Sequence, residues 1–303
     1  MAVNMSRRAV RTPALILDID ILDQNIAAMT ARAKSMGVAM RPHAKSHKCV
    51  EIARRLAEAG AVGACCATIG EAEALAAGGI RGLLITSPLV TPDQLTRLGN
   101  LLAAGADVSI VADHHLNLEG YAAQAKAAGR TLDILIDFDF GLGRTGCTSL
   151  QDAVALAQLS TAHKALRLRG VQAYWGHLQQ VMPMPERQAQ VAEQQGRLKA
   201  LIAALQAAGH APDIVSGAGT GTHEIDGTSG MFTEIQPGSF LFMDSCYSKS
   251  LATEKGVPFA PSLFLAASVV SANHPGRVIV NAGFKAFATD SGKPEPQRGA
   301  PAG

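Results

Sequence analysis

The amino-acid sequence predicts an α/β protein, a (β/α)8 barrel followed by the beginning of a mainly β C-terminal domain. Three observations carry this. Strand-like and helix-like segments alternate about eight times at βα spacing. The strands are apolar on both faces, which is what a parallel sheet covered by helices requires. After Tyr247 the helical periodicity stops while strand-like runs persist. So many βα repeats favour closure into a barrel over an open doubly wound sheet, although no mark in the sequence excludes the second. The predicted domains are 12–247 for the barrel and 248–303 for the β domain.

The elements follow in order. Residues 14–17 form an apolar strand after Thr12-Pro13. Asp20 caps a helix in which Leu22, Ile26, Met29, Ala33 and Met36 keep the 3.6-residue period. A buried strand over 37–40 leads through Arg41-Pro42-His43-Ala44-Lys45-Ser46-His47-Lys48-Cys49 into a helix over 50–59. Next come a strand at 64–67, a helix at 70–77 stopped by Gly78-Gly79, and a strand at 83–85. Thr91-Pro92-Asp93 opens a helix with a cap, a first-turn proline and an acid near the positive dipole end. Strands at 108–111, 132–138, 168–173 and 213–215 alternate with helices at 114–128, 150–159 and 185–208. A glycine-rich loop then precedes strands at 232–236 and 239–242, with β segments at 263–271 and 277–281 beyond. Two or three strands have little core and unpaired edges, so the β domain is expected to be truncated; it ends in a polar tail at 294–303.

Composition narrows the function. Lys plus Arg number 27 against 25 Asp plus Glu, a balance that offers no field for nucleic acid or anionic lipid. The most apolar run, 263–270, is strand-sized and far short of a membrane span. Arg7, Arg8 and Arg11 are not followed by an apolar signal segment. Five cysteines, an odd number without metal-type spacing, suit small buried residues in a reducing compartment. A cytoplasmic protein acting on a small molecule is expected.

The residues just after the strands are the ones that a barrel gathers on one rim. Lys45 follows an early strand, with Arg41, His43, His47 and Lys48 around it. Crowded positive charge would favour loss of a proton from the ammonium, and a neutral amine is what an imine with an aldehyde cofactor needs. A basic surface loop explains the stretch equally well. Ser216-Gly217-Ala218-Gly219-Thr220-Gly221-Thr222 can offer backbone N–H groups and hydroxyls to a phosphate. It lacks both the lysine of a nucleotide P-loop and the dinucleotide spacing, and it is also compatible with a plain turn. Arg144 could bind an oxyanion or pair with Asp137 or Asp139. Tyr174 and Trp175 could stack on a ligand or pack the rim. His177 and His223 read as satisfied polar residues. Convergence of lysine, phosphate loop, arginine and aromatic on one rim favours the ligand readings.

Six ordered motifs then resemble a known family. They are Arg41 to Lys48, Cys65-Cys66 with Glu71-Ala72, Gly143-Arg144-Thr145-Gly146, Gln172-Ala173-Tyr174, Ser216 to Gly221, and Phe242-Met243-Asp244-Ser245. Together they are similar to the D-threonine aldolase and D-serine dehydratase family of fold-type III pyridoxal-phosphate enzymes, and more distantly to alanine racemase. The resemblance implies that Lys45 is the catalytic residue and carries pyridoxal 5′-phosphate as an imine. It implies that Arg144 contacts the phenolic oxygen and that Tyr174 lines the pocket. Gly219, Thr220 and Gly221, with Gly238 and Ser239, would cradle the phosphate. Gln236 would face the pyridine nitrogen and, being neutral, leave it largely unprotonated. The activity implied is retro-aldol cleavage of a small D-3-hydroxy amino acid to glycine and an aldehyde by a homodimer. D-serine or 3-hydroxyaspartate dehydration is the alternative, and a pyridoxal-phosphate-binding protein without turnover is a third.

The family also uses a divalent metal (Mn, Mg or Zn), bound through a His-Cys-Asp or His-x-Cys segment near the C-terminus. No such segment occurs in this sequence, so the metal ligands are unknown. Ala67, Thr68, Gln180 and Asn281 depart from the family pattern.

Overall fold

A computed structural model describes residues 10–254, 256–288, 292 and 294–297. The chain divides into two compact units, one built from residues up to Asn25 and from Leu241 onward, the other from Ile26–Phe240.

The larger unit contains eight parallel strands: β2 (Ala39–Met40), β3 (Ala64–Cys66), β4 (Leu83–Ile85), β5 (Val108–Ala112), β6 (Leu132–Phe138), β7 (Leu166–Ala173), β8 (Ile214–Gly217) and β9 (Glu234–Ile235), in the order β2-β9-β8-β7-β6-β5-β4-β3. The two ends of that order meet. His43 and Cys65 form a parallel bridge, Val62 N donates to Met40 O and Cys65 N to Pro42 O. The sheet thus curls around on itself and leaves no free edge in this unit.

Helices α2 (Val50–Glu58), α3 (Ile69–Ala77), α4 (Pro92–Ala103), α5 (His115–Ala127), α6 (Leu150–Ala162), α7 (Met184–Ala207) and α8 (His223–Gly227) connect the strands. The predicted start of α4 is present in full: Thr91 Oγ1 accepts from Gln94 N, and the Gln94 side chain accepts from Thr91 N. The main core lies between sheet and helices, with Leu75, Leu83, Ile110, Ile134, Val171, Leu198 and Trp175 all buried in it. A smaller cluster of Cys65, Leu84, Val111 and Leu135 fills the lumen. Each fully buried Leu or Ile contributes about 1.5–3 kcal/mol. Among the described residues no helix is long and apolar enough to cross a membrane.

One irregularity interrupts β7. Leu168 pairs with Ile134 but Gly170 with Leu135, so Arg169 is an extra residue, a bulge. Gly170 has φ of +154°, and a Cβ there would lie 1.8 Å from Ile214 O, so only glycine fits.

In the smaller unit, β1 (Ala14–Leu17) pairs antiparallel with β10 (Leu263–Ala266), and β11 (Val269–His274) with β12 (Arg277–Val280). Three expectations change here. The first strand does not enter the parallel sheet: Leu15 is 69% exposed, which the open face of an antiparallel pair tolerates and a barrel strand does not. The single run at 263–271 splits into two strands. Helix α1 (Ile19–Met36) is capped by Asp18, whose carboxylate accepts from Ile21 N at 3.1 Å, and not by Asp20. In the larger unit, the expected strand over 239–242 begins instead as a tight turn at Ser239–Leu241 following Pro237-Gly238; Phe240 N donates to Thr220 Oγ1.

Candidate active site

The strand ends carry the predicted residues to one mouth. Lys45 lies in a single helical turn (Ala44–Ser46) after β2, and that turn is fixed by His43. The Nδ1 of His43 accepts from Lys45 N, while Nε2 meets Thr86 Oγ1 at 3.1 Å. Lys45 opens to solvent at the mouth, with Nζ 5.8 Å from the centroid of the Tyr174 ring. Arg144 stands over the same ring, its Cζ 5.9 Å from the centroid.

The cause of the lysine's lowered proton affinity differs from the expected one. Partial burial comes first and the Arg144 guanidinium second, with Cys65 and Glu71 opposing. The neighbouring cations contribute little. Burial pushes His43 down to about 3 and His47 to about 4, so both imidazoles are neutral at pH 7. Arg41 is bound to Glu234. Lys48, in the turn before α2 at φ of +49°, points toward Glu71, 3.9 Å away.

Arg144 sits in a loop whose three nearby aspartates are otherwise engaged. Asp139 Oδ1 accepts from Gly141 N and Gly143 N, Asp113 Oδ2 from Gly146 N, and Asp137 Oδ2 from Thr145 Oγ1. Asp137 also accepts from Gln172, and its burial raises its pKa to about 6. Among the described residues Arg144 has no carboxylate partner. Its expected pairing with Asp137 or Asp139 is therefore absent.

Trp175 and Tyr174 separate in role. Trp175 is fully buried, edge-on to Phe140 and Phe232, and its Nε1 donates to Asp226 at 3.1 Å. It is core. His223 is likewise satisfied, with Nδ1 2.7 Å from Thr220 O, and His177 is exposed.

The glycine-rich loop is shaped from behind by Gln179 and Arg187. Gln179 Oε1 accepts from Gly221 N at 2.9 Å, Gln179 Nε2 donates to Thr222 Oγ1, and the buried Arg187 donates to Gly221 O. A Cβ on Gly221 would fall 1.8 Å from Gln179 O, so this glycine answers to packing against Gln179. Ala218 takes φ of +58°, a conformation costing of the order of 1 kcal/mol that is held only where surroundings enforce it. The backbone N–H groups of Thr220, Gly238 and Ser239 have no protein acceptor among the described residues. Unpaired N–H groups around a buried loop are anion donors in waiting. Gln236 lies between the lysine strand and this loop, its Nε2 donating to Ser216 Oγ at 2.8 Å.

An amine of lowered proton affinity, an arginine without a carboxylate and clustered free N–H groups fit an aldehyde-bearing phosphate ester. Metal ligands are a different matter: no group of three or more His, Cys, Asp or Glu among the described residues is placed to hold an ion. Thr68 caps α3, and Asn281 bonds Thr12 and Ser268, so both are structural.

The fold and this mouth place the protein among the α/β barrels with a lysine at the end of an early strand. The chain belongs to the alanine racemase N-terminal domain family, whose model matches residues 17–246; a serine dehydratase domain model matches residues 262–302. It is 37% identical over 296 residues to the 3-hydroxy-D-aspartate aldolase of Paracoccus denitrificans (strain Pd 1222), covering 96% of this chain and 76% of that one. To the D-threonine aldolase of Arthrobacter sp. it is 39% identical, covering 94% and 75%. The crystal structure of D-threonine aldolase from Filomicrobium marinum superposes with a TM-score of 0.90 at 39% identity, covering 93% and 76%.

Sequence inspection missed Gln179, Arg187, Ser216 and Glu234 as builders of the mouth. Only Ser216 carried a signal, by opening the glycine-rich loop. The others act from other elements, and their partners are visible only in three dimensions.

Proposed function

We propose that this protein is a pyridoxal-phosphate lyase that cleaves D-3-hydroxy amino acids of the D-threonine class to glycine and an aldehyde. The observation that supports it most is the sharing of the Tyr174 ring by Lys45 Nζ and an Arg144 that has no carboxylate partner. The two aldolase relatives, each above 35% identity across almost the whole chain, support the same choice over dehydration, whose relative from Delftia sp. (strain HT23) is 29% identical.

When bound, pyridoxal phosphate supplies an electron sink conjugated to the substrate α-carbon. The chain supplies the rest. Lys45 Nζ, neutral more readily than a free lysine, is the nucleophile that attaches the aldehyde carbon. Arg144 donates to the phenolic oxygen, and the Tyr174 ring walls the pocket. The N–H groups of Thr220, Gly238 and Ser239 grip the phosphate, in a cradle with Gly219 and Gly221, and Gln236 meets the ring nitrogen. Breaking Cα–Cβ as the hydroxyl proton leaves puts an electron pair on the α-carbon, which takes up a proton before glycine departs. Lys45 Nζ is the group at the mouth suited to deliver it. No step is drawn through a metal, since the described residues offer no donor set for one. Homodimeric assembly and a cytoplasmic location belong to the same proposal and rest on the family resemblance and on five free thiols.

The test is incubation of the cofactor-loaded protein, with and without Mn, Mg or Zn, with D-threonine. Acetaldehyde and glycine in equal amounts are expected. Ammonia with an oxo acid would overturn the reading in favour of a dehydratase, and bound cofactor with no product would overturn it in favour of a binding protein.

A further inference from the structure

A line of buried polar groups runs through the barrel lumen to Gln236. Arg41, after β2, grips Glu234 at the start of β9 with two hydrogen bonds of 2.8 Å, from Nε to Oε1 and from Nη2 to Oε2. Its remaining Nη1 donates to Gly82 O. Ser216 Oγ, on β8, donates to Glu234 Oε1 at 2.6 Å, and Gln236 Nε2 donates to Ser216 Oγ at 2.8 Å. Ser216 is fully buried and Gln236 6% exposed.

Proton counting fixes the direction of the line. A carboxylate salt-bridged to arginine only accepts, so the single hydroxyl proton of Ser216 goes to Glu234. The serine oxygen can then only accept from Gln236, which must turn its amino group toward Ser216. The Gln236 carbonyl oxygen is left with no donor among the described residues. The strand ends on either side of Gln236 lead to Lys45 and to the Gly219–Gly221 loop: Gln236 N donates to Gly217 O, and Pro237 O accepts from His43 N.

In pyridoxal phosphate the ring nitrogen lies opposite the carbon bearing the aldehyde and one carbon away from that bearing the phosphate arm. A cofactor joined to Lys45 with its phosphate in the loop therefore turns its nitrogen away from the lysine. We propose that the Arg41–Glu234–Ser216 line presents Gln236 Oε1 as an acceptor to that nitrogen, so that the bound cofactor keeps the nitrogen protonated. This rests on the cofactor site proposed above, and it reverses the expectation that a neutral glutamine leaves the nitrogen bare. A hydrogen bond accepted from the protonated form favours that form. Ser216 and Glu234 are positioning residues, acting through Gln236.

The experiment loads the intact protein with cofactor labelled with 15N in the ring and reads the nitrogen chemical shift, which separates pyridinium from pyridine. The wild type is expected to give the pyridinium signal and Gln236→Leu the pyridine signal. Ser216→Ala, which frees the amide to turn, is expected to give a mixture and to bind cofactor about tenfold more weakly. Ser216→Thr, which keeps the hydroxyl, is expected to restore both readouts, and a melting curve for each variant checks folding. A pyridine signal in the wild type overturns the proposal, as does an unchanged pyridinium signal in both Gln236→Leu and Ser216→Ala. If Lys45→Ala keeps the lysine-linked cofactor absorbance, the cofactor site itself is wrong, a failure recognisable before any nitrogen is measured.

Discussion

Lys45 and Arg144 approach one aromatic ring, that of Tyr174, at 5.8 and 5.9 Å from its centroid. Two cationic side chains over one ring, with no carboxylate closing on the arginine, are poorly matched to a structural role. They cost the fold electrostatic repulsion and return little packing.

Arg144→Ala should therefore leave stability within about 0.5 kcal/mol of the wild type, as for a side chain outside any buried network. The same variant should shift the absorbance of lysine-bound cofactor and lower turnover. Thermal melting beside a cofactor spectrum checks both. A large drop in melting temperature would show that Arg144 holds the loop together after all.

Lys45→Ala should abolish the lysine-linked cofactor band while the protein folds normally, because the side chain is open to solvent. Borohydride treatment followed by peptide mapping should place the cofactor on Lys45 in the wild type and nowhere in the variant.

Gln179→Ala removes the acceptor for Gly221 N and the donor to Thr222 Oγ1, both in buried surroundings. A loss of about 1–3 kcal/mol in chemical denaturation is expected from the groups left unpaired. Binding of pyridoxal phosphate should weaken more than binding of phosphate-free pyridoxal. Equal weakening would mean that Gln179 does not shape a phosphate cradle.

Glu234→Ala strands the Arg41 guanidinium in the lumen. The Glu234 side chain is 5% exposed and that of Arg41 12%, so about 3–5 kcal/mol of stability should be lost. Denaturant titration checks this, and a cost under about 1 kcal/mol would mean that water reaches the pair.

Asp226 sets a pH dependence. It accepts from Trp175 Nε1 and Gln195 Nε2, and burial raises its pKa to about 7 against an ordinary aspartate near 4. The folded state thus binds a proton that the unfolded state releases between these values. Its contribution to stability is full below about pH 4 and is lost as pH rises toward 7. In Asp226→Asn that part of the slope should vanish, so the variant gains on the wild type between pH 5 and 8. Melting curves across that range would sink the idea if the two proteins ran parallel.

The alternation of apolar strands and amphipathic helices was enough to read the barrel from the sequence, because that pattern reflects burial on both sheet faces. Lys45 and the glycine-rich loop were legible too, since each falls just after a strand. The fate of β1 was not, because four apolar residues read alike whether they line a lumen or an antiparallel pair. Nor was the reason for the lowered proton affinity of Lys45. Nearness in sequence pointed to His43, His47 and Lys48, whereas burial and Arg144, ninety-nine positions away in the chain, matter more. The line from Arg41 to Gln236 joins three strand ends and has no linear signature.

The extra residue at Arg169 has a consequence for how β7 can vary. Before it, Leu166 and Leu168 pack toward the helices; after it, Val171 and Ala173 do. Even-numbered positions thus give way to odd ones, and Gln172 is turned inward to reach Thr86 O and Asp137. Deleting one residue there would leave every side chain chemically intact and exchange the two faces of the strand's second half. Gln172 would be pressed against the helices and Ala173 would look into the lumen. Substitutions along β7 are local events, but a change of length by one is a change of parity, and the mouth beyond Ala173 inherits it whole.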